Sequence, residues 1–439
     1  MNKTLLKRTA MQSLALMLAV VTLSYALHQY QTVEISASDK TNSETTITSE
    51  EISNNAEALI EVSGNDVTAS PPLKPDNESE GNPSASIFTG VLKDIDTNII
   101  NQMSDRYLIV KKPRGENIYF QLEDLYVTKS IQITLSGLTG EDMGSGVIGR
   151  VNKGELFTGD PIFTEIISSS EESSDNSSEP AVTTPVITKD FGNDLIHGIK
   201  VTSVYDKATM LYTSTLLIEL DSVYVHVMHE DKNYYYIDLR KPQEVYDRVL
   251  VIDAGHGGKD GGALSAGEQY YEKNINLDIL MNLKALLDQE DIKVYYTRTG
   301  DDKVFLRPRV DLANAVDCDF FISIHNNANE ITWPNGSEVL YCDTEFKGVK
   351  AKDLAEIMKE ELGKTIPLKQ NGVVEKKIDD IYIMEHAVVP AVLIEVGYMT
   401  NNSDMNFLSK TQNRQAVAQG IFNGIMRAYE ELDETKVSQ

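Results

Sequence analysis

Hydrophobic and polar positions divide the chain into segments of unlike character. From residue 87 to 167 apolar residues come in short pieces: IFTGVL, RYLIVKK, IYFQL, LYVTKSIQITL, VIGRV and PIFTEII. Alternation with period 2, as at Ile131, Ile133 and Leu135, separated by glycine breaks, predicts a small antiparallel β domain. Residues 186–247 repeat the pattern in IKVTSVY, LLIELDSVYVHVMH and YYYIDLR, which predicts a second β-rich domain. YYYIDLRKPQEVYDR runs into VLVIDAGHGG without a polar linker, so this second section is expected to pack on the domain C-terminal to it.

From residue 248 to 432 strand and helix patterns alternate. VLVI (249–252), IKVYYT, DFFISIH (319–325), GSEVLYC and AVLIEVG (391–397) read as strands, several of them apolar enough to be buried on both faces. Asn274 to Gln289 sets Ile279, Leu280, Leu283, Leu286 and Leu287 on one helical stripe. A short helix over 309–316 is entered through Pro308, and further helices are expected at 349–362 and 412–432. The fold class is therefore α/β: a C-terminal mixed or parallel sheet flanked by helices, preceded by small β-rich modules and disordered linkers. A tail, 433–439, ends the chain.

The remaining segments are polar or terminal. Residues 28–86 are rich in Ser, Thr, Asn and Glu, and 31–90 hold 11 acidic against 2 basic residues. Such a segment buries too little surface to offset its ordering entropy and is expected to be a disordered linker, as is the Ser/Glu-rich stretch 168–185. At the start, Lys3, Lys7 and Arg8 precede an apolar run from Ala10 to Leu27, so 1–27 reads as a secretory signal or a membrane anchor. Either one exports the rest.

The formal charge of −27, from 67 acidic and 40 basic residues, argues against a nucleic-acid partner. Two cysteines, Cys318 and Cys342, give no disulfide framework, and Cys318 reads as a small buried hydrophobe. His226 and His229 stand three apart in a strand pattern, which points them to opposite faces.

Candidate chemistry concentrates at the strand ends of the last domain. His256 follows the first strand in a glycine-rich loop that has neither the dinucleotide-binding spacing nor a Walker lysine. Glu272 opens the first helix, His325 ends the third strand and Glu395 lies near the end of the last. In open α/β sheets the carboxyl ends of strands are where ligands bind. Two neutral imidazoles and one carboxylate are a recurrent catalytic zinc set, with a fourth position for water. A remaining carboxylate can then take the water proton and pass it to a leaving nitrogen. A carboxylate inside AVLIEVG also needs a compensating partner, since burial of its charge alone is costly.

Five ordered phrases, VIDAGHGGKDGGA, EKNINLDI, YYTRTGDDKVFLRPRVDLANAVDCDFFISIHNNA, GSEVLYC and PAVLIEVGYMTNNSD, carry a resemblance that extends across roughly Val249 to Tyr429. In them the chain resembles the zinc-dependent N-acetylmuramoyl-L-alanine amidases, which act on peptidoglycan. The resemblance implies Zn2+ as cofactor, His256, Glu272 and His325 as metal ligands, and Glu395 as the catalytic carboxylate. It departs in one place, Tyr398 standing where the family usually has phenylalanine. It further implies cleavage between the lactyl group of N-acetylmuramic acid and L-alanine, by an exported, monomeric catalytic unit whose β modules serve wall anchoring. Between His325 and Glu395 one amphipathic helix is visible and no additional one, which implies an uncovered site. The competing readings are a zinc peptidase cutting the stem peptide and a non-catalytic wall-binding protein.

Overall fold

The computed structural model describes residues 94–115, 118–140, 146–158, 164–169, 191–376 and 381–432. The apolar stretch 10–27, the acidic segment 28–86, nearly all of the second polar segment and the tail lie outside the described residues. Among the described residues no helix is long and apolar enough to cross a membrane.

A one-turn helix, α1 (Thr97–Ile100), is capped by the Asp96 carboxylate, which accepts from the Asn98 amide. Ten strands come next: β1 (Arg106–Lys111), β2 (Tyr119–Leu125), β3 (Ser130–Leu138), β4 (Val147–Asn152), β5 (Glu155–Phe157), β6 (Thr164–Ser169), β7 (Ile196–Asp206), β8 (Leu211–Leu220), β9 (Val225–Glu230) and β10 (Tyr234–Arg240). They form two five-stranded sheets, ordered β5-β4-β1-β10-β9 and β2-β3-β8-β7-β6.

Two separate β domains are therefore not what forms. β1 pairs with β4 on one side and β10 on the other, and β3 pairs with β8, so both sections contribute to both sheets. The reason lies in β1. Its run RYLIVK buries Leu108 and Val110 against Ile131, Ile133, Leu216 and Ile218, while Tyr107 and Ile109 on the opposite face pack with Ile100 and Met103. Neither section alone has enough apolar surface to cover both faces of such a strand. The second polar segment, which looks like a domain boundary, joins β6 to β7, and these pair directly in parallel.

A short helix, α2 (Pro242–Val245), leads into the α/β domain. There the elements run β11 (Val249–Ala254), α3 (Glu272–Leu287), β12 (Lys293–Tyr296), α4 (Leu306–Ala315), β13 (Phe320–Asn327), β14 (Ser337–Tyr341), the small pair β15 (Glu345–Phe346) and β16 (Val349–Lys350), α5 (Ala351–Thr365), β17 (Gln370–Glu375), α6 (Tyr382–His386), β18 (Ala391–Tyr398), α7 (Asn402–Leu408) and α8 (Thr411–Glu431). The sheet is mixed and six-stranded, ordered β12-β11-β13-β18-β14-β17. β11, β12, β13 and β18 are parallel, and β14 runs antiparallel to β18.

The alternation of the central strands feeds two cores. Leu250, Ile252, Ile322 and Ile394 pack under α3, α5 and α8, while Val249, Val251, Phe321 and Leu393 pack under α4 and α6. α4 begins three residues before its expected start, with Pro308 inside its first turn, where a missing N–H leaves no bond unmade. Two helices, α5 and α6, lie between His325 and Glu395 where one was expected. The second is a single turn that sinks Ile383 and Met384 into the core.

The sandwich packs on the α/β domain, as the absence of a linker before β11 implies. The Tyr126 hydroxyl donates to the Tyr296 carbonyl at 3.0 Å, its ring meets Tyr295 edge-on at 5.0 Å, and Val223 joins the core beneath α4.

Candidate metal centre

Parallel pairing brings the ends of β11, β13 and β18 side by side, and the loop after β11 turns at once. His256 holds φ 63°, an unusual backbone for a residue with a side chain, and its ring turns back over the strand ends. Gly255 is what makes room: a Cβ there would stand 2.1 Å from Cε1 of His325. Gly262 does the same on the other side, since its Cβ would lie 2.6 Å from both Glu272 Oε2 and His256 Cδ2, and its φ of 65° suits only glycine well.

Glu272 is the first residue of α3, so its carboxylate sits at the positive end of the helix. It is buried and touches both imidazoles: Oε2 lies 3.1 Å from Nε2 of His256, and Oε1 lies 3.0 Å from Nδ1 of His325. Oε1 also accepts from the Asn326 amide at 3.1 Å and the Asn276 side chain at 3.2 Å, and Oε2 from the Ala263 amide at 2.9 Å. Burial pushes its pKa up, but hydrogen bonds from His256 and His325 outweigh this and hold it well below the usual carboxylate range. Burial lowers the pKa of His256, and the bonds to Glu272 and Asp260 more than reverse that, raising it to about 8.

One donor atom from each of His256, Glu272 and His325 can be chosen so that all lie within 4.8 Å of one another. The two rings meet edge-on with centroids 4.9 Å apart. Two imidazoles and a buried carboxylate converging on one point fit a divalent cation with mixed N/O preference. Asp260 bonds the remaining ring nitrogen of His256 at 3.0 Å, the orienting contact that metal-binding histidines commonly have.

Glu395 stands opposite His325 in the parallel pairing of β13 with β18, and opposite Glu338 in the antiparallel pairing of β18 with β14. Side chains directly opposite across a sheet share a face, so His325, Glu395 and Glu338 form one row. Oε2 of Glu395 is buried with no hydrogen-bond partner among the described residues. Burial, with help from the charges of Glu272 and Glu338, raises its pKa to about 7. All four residues marked out in the sequence thus meet at one sheet edge.

Sequence reasoning missed the frame behind them. Asp253 is fully buried in β11 and accepts from Thr297 at 2.5 Å, from Ser323 at 2.6 Å and from Arg309. Arg309 also donates to the carbonyls of Ala254 at 2.8 Å and His256 at 2.7 Å. Arg298 donates to those of Ala254, Gly255 and Lys273, each at 2.9 Å. Two guanidinium groups therefore clamp the backbone that presents His256 in its left-handed conformation. The available signal was Asp253 itself, a charge within an otherwise apolar strand. Glu338 was also missed; its Oε1 accepts from the Asn327 side chain at 2.8 Å.

These features define an α/β domain with a candidate metal centre at the carboxyl edge of its sheet. Residues 250–427 match the family described as N-acetylmuramoyl-L-alanine amidase. Among its relatives, the Bacillus subtilis amidase LytC is 34% identical over 185 residues, 42% of this chain and 36% of that protein. The uncharacterized B. subtilis protein YqiI is 32% identical over 43% of this chain and 88% of its own length. The germination-specific N-acetylmuramoyl-L-alanine amidase of B. subtilis is 30% identical over 42% and 81%. A solved structure, the amidase AmiC2 of Nostoc punctiforme, is 32% identical over 42% of this chain and 98% of that one, with a TM-score of 0.39. The chain belongs to the N-acetylmuramoyl-L-alanine amidase family. It spans only about a third of the length of LytC.

Proposed function

We propose that the chain hydrolyses the amide between the lactyl group of N-acetylmuramic acid and L-alanine in peptidoglycan. In this reading His256, Glu272 and His325 hold a zinc ion, and Glu395 moves the protons. The observation that carries it is Glu395, in register with His325 and with its Oε2 buried without a hydrogen-bond partner among the described residues. Bound at these residues, zinc would polarise the amide carbonyl and acidify water at neutral pH.

Glu395, with a pKa raised to about 7, is balanced between accepting and donating a proton near neutrality. It takes a proton from water as the oxygen bonds to the carbonyl carbon. It then delivers that proton to the nitrogen as the C–N bond breaks, leaving a lactyl carboxylate and a free L-alanine amine. Glu272 stays ionised throughout, because both imidazoles and two backbone amides face it. The Asp260 carboxylate keeps the His256 ring turned to the centre.

The substrate puts the reaction at the cell envelope, in keeping with relatives named cell wall amidases. The basic start and apolar run of residues 1–27 would supply export. Digestion of purified peptidoglycan tests the reading: new L-alanine amino termini and sugar ends with free lactyl groups are expected. Peptides cut internally, with L-alanine still on muramic acid, would make the chain a stem-peptide peptidase instead.

A further inference from the structure

Large apolar side chains are exposed unevenly on the α/β domain. Of the eight among its described residues, six lie at the sheet edge that carries the metal centre: Tyr270 and Tyr271 before α3, Phe305 and Leu306 at the start of α4, and Ile331 and Trp333 between β13 and β14. Single exposed apolar residues need no explanation, whereas a concentration around one site marks a binding rim.

The two sides of that rim differ in charge. The loop from β11 to α3 exposes Lys259, Asp260 and Glu268, and the loop from β12 to α4 exposes Asp301, Asp302 and Lys303. Between β13 and β14, residues 328–336 read ANEITWPNG, with Glu330 as the one formal charge. Most of the groups that hold this third loop are neutral, the exception being the buried Asp404 carboxylate, which accepts from the Gly336 amide at 2.7 Å. Asn401 donates to the Thr332 carbonyl at 2.8 Å, Asn335 to the Trp333 carbonyl at 3.1 Å and Asn371 to the Asn335 carbonyl at 2.9 Å. The Asn329 amide donates to the Thr400 hydroxyl at 3.1 Å. Thr400 and Asn401 come directly after the strand of Glu395, so the loop is fastened to the same segment that places the carboxylate. Trp333 is 73% exposed on a backbone tied down on both sides.

An exposed indole on a fastened backbone costs little backbone entropy on binding and offers a flat apolar face with one N–H donor. Pyranose rings present a C–H face of similar size, and their hydroxyl and acetamido groups are neutral donors and acceptors that amide side chains match in both directions. A peptide with carboxylate and ammonium groups matches the charged loops instead. We infer that the β13–β14 loop is a glycan subsite with Trp333 as its stacking platform, which sets the saccharide on the β14 side of the centre and the peptide on the β11–β12 side. The inference rests on the amidase reading only for its assumption that one substrate carries both parts.

Trp333 is the single tryptophan of the chain, so its fluorescence reports this loop alone. Titration of the full-length protein with a peptide-free N-acetylglucosamine oligosaccharide should shift and quench the emission saturably. With muropeptides and a sugar-free lactoyl-peptide bearing the same amide, Trp333→Ala should lower the kcat/KM preference for the glycan-bearing substrate about 10-fold. Trp333→Phe, which keeps a ring face, should restore most of it. Unaltered emission together with an unaltered preference would overturn the subsite while leaving the amidase reading intact. Saturable glycan binding by a protein that frees no L-alanine amine from any substrate would uphold the subsite and sink the amidase reading. Unaltered emission from a protein that also frees no L-alanine amine from any substrate would remove both.

Discussion

His325 and Glu395 are direct register partners on the adjacent parallel strands β13 and β18. A one-residue slip would send one of them to the opposite face of the sheet, so strand pairing, more than side-chain contact, keeps carboxylate and imidazole together. Glu395→Gln keeps the shape and removes the proton acceptor. Turnover of muropeptides should fall at least about 100-fold. Zinc content and unfolding temperature should not fall, because the substitution also removes repulsion by Glu338 and Glu272. Near-normal turnover by the folded, zinc-loaded variant would remove Glu395 from the mechanism.

Metal binding is tested from the ligand side. His325→Ala deletes one donor and leaves Glu272 with a single imidazole partner. Zinc affinity measured by competition with a chromogenic chelator should drop by at least about 100-fold, beyond what loss of an outer-shell contact costs. Asp260→Asn removes only the charge that orients His256, and its loss should stay within about 10- to 100-fold. Wild-type affinity in the His325 variant would place the metal elsewhere.

What the sequence disclosed depended on how far its signals reach. β11, β13 and β18 were legible because strands buried on both faces need apolar runs, and the chemistry-bearing residues interrupt or end those runs. β17, the edge strand Gln370–Glu375, was missed: its sequence QNGVVE has only two apolar positions and no fully buried residue. The sandwich was misread as two domains because β1 and β10 are separated by more than a hundred residues, and pairing at that distance leaves no local trace. Arg298 and Arg309 were unreadable for another reason. Most of their partners are backbone carbonyls, which every residue has.

His226, on β9, makes a pH dependence of stability. Its ring is largely buried, with Oδ2 of Asp124 3.9 Å from its Nδ1 and the charge of Lys293 nearby, and its Nε2 is buried with no hydrogen-bond partner among the described residues. Burial, and then the charge of Lys293, lower its pKa to about 4 from an ordinary 6.5. Between those values the unfolded chain binds the proton and the folded one does not. Stability is thus complete above about pH 6.5 and falls by about 1.4 kcal/mol per unit as pH drops toward 4. Urea unfolding of wild type and His226→Leu across this range should show the slope in the first and its loss in the second. Parallel pH profiles would show that His226 does not titrate on unfolding.

The final prediction concerns the frame of the centre. Arg309 is almost fully buried and pairs with Asp253, which is wholly so, while its other donors hold the carbonyls of Ala254, His256 and Val304. Arg309→Met fills much of the same volume but leaves the Asp253 carboxylate with two hydroxyl donors and without its paired charge, only the more distant Arg298 guanidinium remaining. Breaking a buried pair from one side costs about 3–5 kcal/mol, and urea unfolding should show a loss of that order. Adding Asp253→Leu removes the stranded charge and should recover much of the stability, since an apolar replacement of both partners is often neutral. The pair of variants separates stability from function. The double variant still lacks the bond from Arg309 to the His256 carbonyl, so one of the two guanidinium clamps on the left-handed turn is gone. Its zinc affinity should stay reduced, by roughly 10- to 100-fold as for other supporting contacts, even where its stability returns. Full zinc affinity in a restabilised double variant would mean that the glycines and Arg298 alone hold His256 in place.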